Sequence, residues 1–270
     1  MDAPARHTNS SEAPHVLVRD EGEVRRIVMN RGLQRNLLTF EMMAALKAAL
    51  DAPDARVIIV AADGPAFCVG HDMKAMSSHH GDPDGGSAYF TDLFAACSDL
   101  MLAIATARQP VIAEVHAVAV AAGCQLVAAC DLAVASEAAT FGTTGVTYGL
   151  YCSTPAVPLT RTVPAKHAAE MLMTGDVVDA EHAARIGLVN RVVPAERLVE
   201  EAAALADRLA GKSAAVLALG KHAVQEQAGL PLAEAYARAS RAMVANLALA
   251  DGREGLAAFG QKRPGRWTDA

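Results

Sequence analysis

Two short apolar runs, "ARVIIVAA" (55–62) and "VIAEVHAV" (111–118), each give way to small, glycine-bearing sequence that then turns helical. Runs this short and this apolar suit strands buried on both faces, and such strands occur in parallel sheets covered by helices. The junctions that follow, "CVGHD" (68–72) and "VAAGCQ" (120–125), place Gly or Ala where another stretch of backbone comes close. The pattern predicts an α/β protein with parallel strands.

The remaining chain fits that frame. "HVLVRDEGEVRRIVMN" alternates around an Asp-Glu-Gly turn and predicts a hairpin. Thr39 is placed to cap a helix that carries Met42, Met43, Leu46 and Leu50 inward and stops before Pro53. "DGPAFCVGHDMKAM" reads as a Gly-Pro loop leading into a helix, and "GGSAYFTDLFAACSDLMLAIATARQP" as a helix ending at Pro110. "DLAVASEAATFG" reads as strand, turn and strand. Asp179 caps "AEHAARI", Gly187 ends it, and "LVNRVV" returns as a strand. From Glu196 the chain is Ala-rich and helical, with breaks expected at Gly211, Gly229–Pro231 and Gly252. The expected organisation is a polar tail over residues 1–13, a core over 14–205 and a helical appendage over 206–270.

Composition excludes some partners. Lys and Arg number 24 against 30 Asp and Glu, a net charge of -6, and there are only six Phe, four Tyr and one Trp to stack on bases. Nucleic acid is therefore not an expected partner. Val115 to Cys130, an apolar stretch free of Asp, Glu, Lys and Arg, has 16 residues, short of the ~20 a spanning helix needs, so no membrane insertion is expected. "MDAPARHTNSSEAP" has no apolar export core, and a cytoplasmic protein is expected. Cys68, Cys97, Cys124, Cys130 and Cys152 lack metal-ligand spacing and read as buried thiols.

Free N–H groups at helix starts, helped by the helix dipole, suit a developing negative oxygen. Two such junctions at the ends of strands in one sheet suggest a paired oxyanion hole. Here the residues carry a family likeness. "MNRGLQRNLLT", "VIIVAADGPAFCVGHDMKAM", "QPVIAEVHAVAVAAGCQLVAACDLAVAS", "MLMTGDVVDAEHAARIGLVNRVVP" and "DGREGLAAFGQKRP" together resemble the crotonase, or enoyl-CoA hydratase/isomerase, superfamily. The blocks stand in that family's order and cover nearly the whole chain. "GHD" (70–72), "VAAGCQL" (120–126) and "CSTP" (152–155) are most similar to its enoyl-CoA hydratase domain-containing branch.

The resemblance implies a crotonase-like (ClpP/crotonase) spiral of ββα units with a C-terminal helical trimerisation region, assembled as a homotrimer or dimer of trimers. It implies a coenzyme A thioester as substrate or ligand, with no prosthetic group and no metal. The thioester oxygen would sit between the backbone N–H groups of His71 and Ala122. Gln34 and Arg35 in the loop 33–37, with Phe67, Val69, Gly70, Asp72, Met73 and Gly123, would line the CoA cleft. Phe259 and Lys262 match residues that cover the nucleotide, often on a neighbouring subunit; helix packing is the alternative role for Phe259.

The departures bear on mechanism. The family's two catalytic Glu positions hold Gln125 and Gly145, and the Asp used by some isomerases and dehalogenases is Ser153. Hydration needs one group to activate water and another to protonate carbon, and an amide and a glycine do neither. The expectation is an acyl-CoA-binding protein of fatty acyl-CoA metabolism that keeps the oxyanion hole, with hydratase activity weak or absent. A malonyl-type decarboxylase and a non-catalytic binder are the alternatives. Substituting Glu at both 125 and 145 would then raise hydration, unless Gly145 has a positive φ.

Other candidates carry less. Tyrosine and cysteine act as bases only when a cation holds the deprotonated form, and no Lys or Arg is adjacent in sequence to Tyr148, Tyr151 or Cys152. The tyrosines read as pocket wall and Cys152 as a small buried residue. The His71 side chain lies on a loop expected to face ligand. His79, His80, His167, His182 and His222 are expected at the surface, with His79–His80 a poor metal site. His116 stands where the family usually has Asn, with no evident role.

Overall fold

A computed structural model describes residues 13–269; all but the last residue of the expected N-terminal tail lies outside them. β1 (Val16–Glu21) and β2 (Val24–Met29) form the expected hairpin around Gly22, which takes φ +63. α1 (Phe40–Ala49) starts at Thr39, where the hydroxyl accepts the Met42 N–H, and it buries Met42, Met43 and Leu46. Then come β3 (Val57–Ala62), β4 (Ala66–Cys68), α2 (Met73–His79) and α3 (Ser87–Thr106). β5 (Val111–Val115), β6 (Val118–Val120) and α4 (Ala122–Ala129) follow. Next are β7 (Leu132–Ser136), β8 (Thr140–Gly142), α5 (Ser153–Thr162) and α6 (Ala165–Thr174).

The repeat explains the topology. In each turn the first strand joins a six-stranded sheet, in which β2, β3, β5 and β7 run parallel. The second joins a smaller sheet of order β4, β6, β8 and a final strand, β9 (Val177–Asp179). This is a stack of ββα units, the expected spiral. Two details differ from the sequence reading. "DGPAFCVG" contains β4, and "VIAEVHAV" is two strands, since the chain leaves one sheet at His116 and enters the other at Val118. Strands of three residues are too short to leave a periodicity, and they form because they stack on the turns before and after them. α5 and α6 likewise left no distinct sequence signal.

Asp179 accepts the His182 N–H and starts α7 (Ala180–Arg185), and Gly187 follows it at φ +83. β10 (Arg191–Val193) completes the large sheet beside β7. α8 (Leu198–Ala210) covers one face of that sheet, packing Leu198, Ala202, Leu205 and Ala206 on Val57, Ile59, Ile112 and Val134. The expected boundary after residue 205 thus falls inside a core helix. By strand parity the same face holds Arg26 and Glu114, an ion pair at 2.5 Å with both side chains buried. The opposite face, with Ile58, Val60, Val111 and Ala113, belongs to the main core.

α9 (Ala214–Gln227) docks through Lys221, whose Nζ donates to the carbonyls of Ile104 and Gln109 at 3.0 Å and pairs with Asp131 at 2.7 Å. α10 (Leu232–Ala248) has no buried residue, and Tyr236 on it is 69% exposed. The expected break at Gly252 is displaced: the kink is at Leu249, and Gly252 lies inside α11 (Ala250–Gly260). A Cβ at Gly252 would fall 2.2 Å from the Asn246 carbonyl, so glycine is there for close packing. The tail returns over this region, Trp267 donating to the Gly211 carbonyl and Asp269 pairing with Arg56. α3 is long and apolar enough to cross a bilayer by length and composition, yet Leu93, Cys97, Leu100, Met101 and Ile104 bury one face of it in the core.

Candidate active site

The site begins in the segment 31–38. Arg35 and Asn36 take φ 53 and 52, a left-handed pair that Asn tolerates better than most residues. Asn36 is fully buried, with its amide donating to the carbonyls of Asp63 (2.8 Å) and Ala66 (2.9 Å) and its oxygen accepting the Arg31 N–H. The Val69 N–H donates to Arg35 O and the Leu38 N–H to Gly70 O, lacing this segment to the exit of β4. Asn36 was not among the expected site residues; an Asn inside a tight polar turn is the signal that points to it. His116 gains a role of the same kind. Its Nε2 bonds Gly64 O at 2.8 Å and its carbonyl accepts from Ser136, tying the β5–β6 turn to the loop before β4 and to the end of β7.

The two glycine junctions meet. Gly70, at φ +85, packs so closely that a Cβ there would lie 3.0 Å from the Ala122 nitrogen. Gly123 is tighter still, a Cβ falling 2.0 Å from the Cys68 carbonyl oxygen. Ala121 is held at φ 52, ψ -121 by donating to Gly142 O at 2.8 Å, a strained non-glycine geometry at the start of α4. The backbone N–H groups of His71 and Ala122 have no acceptor among the described residues. Two unpaired donors side by side, one at a helix N-terminus, can take up negative charge on one oxygen.

The His71 side chain is fixed separately. Its Nδ1 lies 3.0 Å from Leu38 O. A carbonyl only accepts, so Nδ1 carries the hydrogen and Nε2 bears the lone pair. Nε2 is buried without a partner among the described residues, an arrangement that costs about 1–3 kcal/mol when nothing answers it. Burial holds the imidazole below its ordinary pKa, outweighing the Leu38 contact, so the ring is neutral near pH 7. The ring meets Phe94 of α3 at 5.8 Å, edge to face.

Gln125 is buried beside Cys97, whose thiol donates to Oε1 at 3.7 Å. Gly145 sits in a tight turn where its carbonyl accepts the Leu150 N–H and its N–H meets the Cys152 sulfur. A Cβ on Gly145 would stand 2.4 Å from Leu150 O and 2.8 Å from Cys152 Sγ. Its φ is outside the left-handed region, so the obstacle to a side chain is contact rather than conformation. Burial pushes the thiols of Cys68 and Cys124 up to about 12 and Cys97 to about 11, and raises Cys152 as well, so all four are inert.

Other expected residues divide. Gln34 and Arg35 are exposed, Val69 is half-buried, and Met73 is exposed. Asp72 spends its carboxylate capping α2, accepting from Lys74 and Ala75. It helps line a cavity of about 210 Å³ together with Leu38, Phe40, Tyr89 and Leu93. Phe67 is fully buried in the core and offers a ligand no surface, which corrects its place in the cleft. Ser153 opens α5 and is exposed. Tyr148 and Tyr151 also stand out into solvent, so neither walls an enclosed pocket within this chain. Phe259 is 85% exposed, which removes helix packing as its role, and Lys262 follows α11 at φ 53. His80 and His222 are at the surface, whereas His79, His167 and His182 are half-buried. Among the described residues no three His, Cys, Asp or Glu side chains are grouped to hold a metal.

Comparison with known proteins bears on the family and the fold. The family described as enoyl-CoA hydratase/isomerase matches residues 21–270. The rat protein named enoyl-CoA hydratase domain-containing protein 3, mitochondrial, is 44% identical over 262 residues, covering 96% of this chain and 86% of its own length. A crystal structure of an enoyl-CoA hydratase from Mycobacterium smegmatis superposes with a TM-score of 0.89 at 43% identity, over 94% of this chain and 99% of that one. The human enoyl coenzyme A hydratase domain-containing protein 3 gives 0.87 at 43%, over 94% and 100%. The rat and human relatives are named as mitochondrial, which overturns the cytoplasmic expectation. The lack of an apolar export core did not bear on mitochondria, whose import signals are amphipathic rather than apolar.

Proposed function

The chain belongs to the enoyl-CoA hydratase/isomerase family, and on that premise we propose that it binds acyl-CoA thioesters with the thioester oxygen between the N–H groups of His71 and Ala122. The observation that carries this is the close packing of Gly70 against Ala122, where a Cβ would lie 3.0 Å from the Ala122 nitrogen, beside two donors that no group among the described residues engages. Gln34, Arg35, Val69 and Met73, which keep exposed surface, would flank the CoA, whereas Gly123 is buried against Cys68 and serves by letting the two junctions approach. The work of the site is to stabilise an enolate in fatty acyl-CoA metabolism, without hydrating a double bond. Gln125 cannot transfer a proton, and at Gly145 the space a second carboxylate would need is filled by Leu150 O and Cys152.

A second reading has one observation in its favour. Positions 125, 145 and 153 hold no carboxylate, and loss of CO₂ from a malonyl-type thioester generates the enolate with no base at all. The apolar, unburied face of α10 and the exposed Phe259 support assembly into a trimer or dimer of trimers, with Phe259 and Lys262 covering a neighbour's nucleotide. Incubation with crotonyl-CoA, a 3-enoyl-CoA and methylmalonyl-CoA, together with calorimetry on acetyl-CoA, tests the proposal. Acyl-CoA binding with negligible crotonyl-CoA hydration is expected. Absence of binding, or hydration at ordinary enzymatic rates, would overturn it.

A further inference from the structure

Around the two unpaired N–H groups almost every side chain that could move a proton is already engaged. Gln125 is a neutral amide taken up by Cys97, Asp72 caps α2, burial raises the four thiols above their ordinary range, and Tyr148 and Tyr151 point to solvent. The exception is His71. Leu38 O fixes its hydrogen on Nδ1, which leaves on Nε2 a buried lone pair that no described residue meets. A basic nitrogen kept neutral, unpartnered and on the very residue that offers one of the N–H groups needs a partner from outside the chain.

We infer that the His71 imidazole is the base of this site, removing a proton from the α-carbon of a bound acyl-CoA through Nε2, which makes the single-base shift of a 3-enoyl thioester to a 2-enoyl thioester its natural reaction. The inference rests on the proposed seating of the thioester oxygen. In the first step the α C–H bond breaks and its proton goes to Nε2. The electron pair moves into the thioester, whose oxygen is held by the His71 and Ala122 N–H groups. In the second step the imidazolium returns that proton to the γ-carbon, the carbonyl re-forms, and the double bond lies between C2 and C3. With a saturated acyl group the proton can only return to the α-carbon, so the sole trace is exchange with solvent. Hydration is out of reach, because adding water needs a second proton-moving group.

The charged surroundings do not compete. Asp72 faces the N–H groups of Lys74 and Ala75, Glu41 is turned to Thr39, and α3 and α4 bring the neutral Phe94, Cys97 and Gln125. The test is α-proton exchange of butyryl-CoA in D₂O, followed by mass spectrometry, in the parent and in His71→Asn. The Asn amide can still donate to Leu38 O and the backbone N–H remains, but the basic nitrogen is gone. Exchange should fall by about 10²–10⁴ while calorimetric affinity for butyryl-CoA holds, and in the parent it should decline as acid protonates the ring. An unchanged rate in His71→Asn, or binding without exchange in the parent, would overturn this inference and leave the binding proposal standing. A parent that binds no acyl-CoA would overturn both. Should His71→Asn fail to fold, His71→Gln and the parent's acid profile decide the matter.

Discussion

Gly145→Ala separates two explanations of why a glycine stands where the family resemblance leads one to expect a second carboxylate. If the position had only lost its side chain, room would remain, and with φ outside the left-handed region an alanine would stabilise the fold by about 0.4–1 kcal/mol through the unfolded chain. Contact reverses that sign. The new Cβ would stand 2.4 Å from Leu150 O and 2.8 Å from Cys152 Sγ, and the first of these is backbone that cannot swing away. Relief requires the 145–152 turn to open, which stretches the Leu150 N–H to Gly145 O bond of 3.0 Å. Overpacking costs about 1–3 kcal/mol and the weakened bond about 0.5–1.5, so the variant should lose about 1.5–4.5 kcal/mol. Urea unfolding should show this as a lower midpoint with an unchanged slope. Gly145→Glu meets the same obstacle with a longer side chain. Hence Gln125→Glu with Gly145→Glu should be less stable than the parent and no better at hydrating crotonyl-CoA, contrary to what the sequence suggests. A Gly145→Ala variant within about 0.5 kcal/mol of the parent, or a doubly substituted variant that hydrates, would refute the steric argument.

Four further outcomes follow from the same geometry. Gly70→Ala places a methyl 3.0 Å from the Ala122 nitrogen on a φ of +85, and acyl-CoA affinity measured by calorimetry should drop at least about tenfold, a little over 1 kcal/mol. Glu114→Gln leaves Arg26 buried and uncompensated and should cost about 3–5 kcal/mol in urea unfolding, whereas Arg26→Met with Glu114→Leu should recover most of it. Because the folded His71 pKa lies below the ordinary 6.5, the unfolded chain binds more protons there. Its contribution to stability should therefore be flat above that pH and fall as pH drops from 6.5 toward the lowered value, a slope that His71→Asn should remove. Tyr236→Asp with Met243→Asp on the uncovered face of α10 should give a folded monomer by sedimentation, and an unaltered assembly would move the interface elsewhere.

What could be read from the residues alone was what local chemistry decides. Thr39 and Asp179 cap their helices because a short oxygen-bearing side chain before an apolar run has little else to do. Gly70 and Gly123 mark close backbone approach because no other residue would permit it. The features that escaped are those set by distant chain. β4 and β6 are three residues each and exist through their neighbours in the stack. The tautomer of His71 is decided by a carbonyl 33 residues upstream. The contrast is sharpest at Gln125 and Gly145, the two positions where the family resemblance leads one to expect carboxylates. Gln125 is nearly isosteric with glutamate and is buried beside Cys97, so a single substitution could put a carboxylate there. At Gly145 the backbone and a cysteine have closed over the space, and no substitution at that residue alone can reopen it. On the proposed seating of the thioester oxygen, the two unpaired N–H groups would hold an enolate, and the main-chain packing at Gly145 would bar water addition by geometry rather than by the lack of one acid.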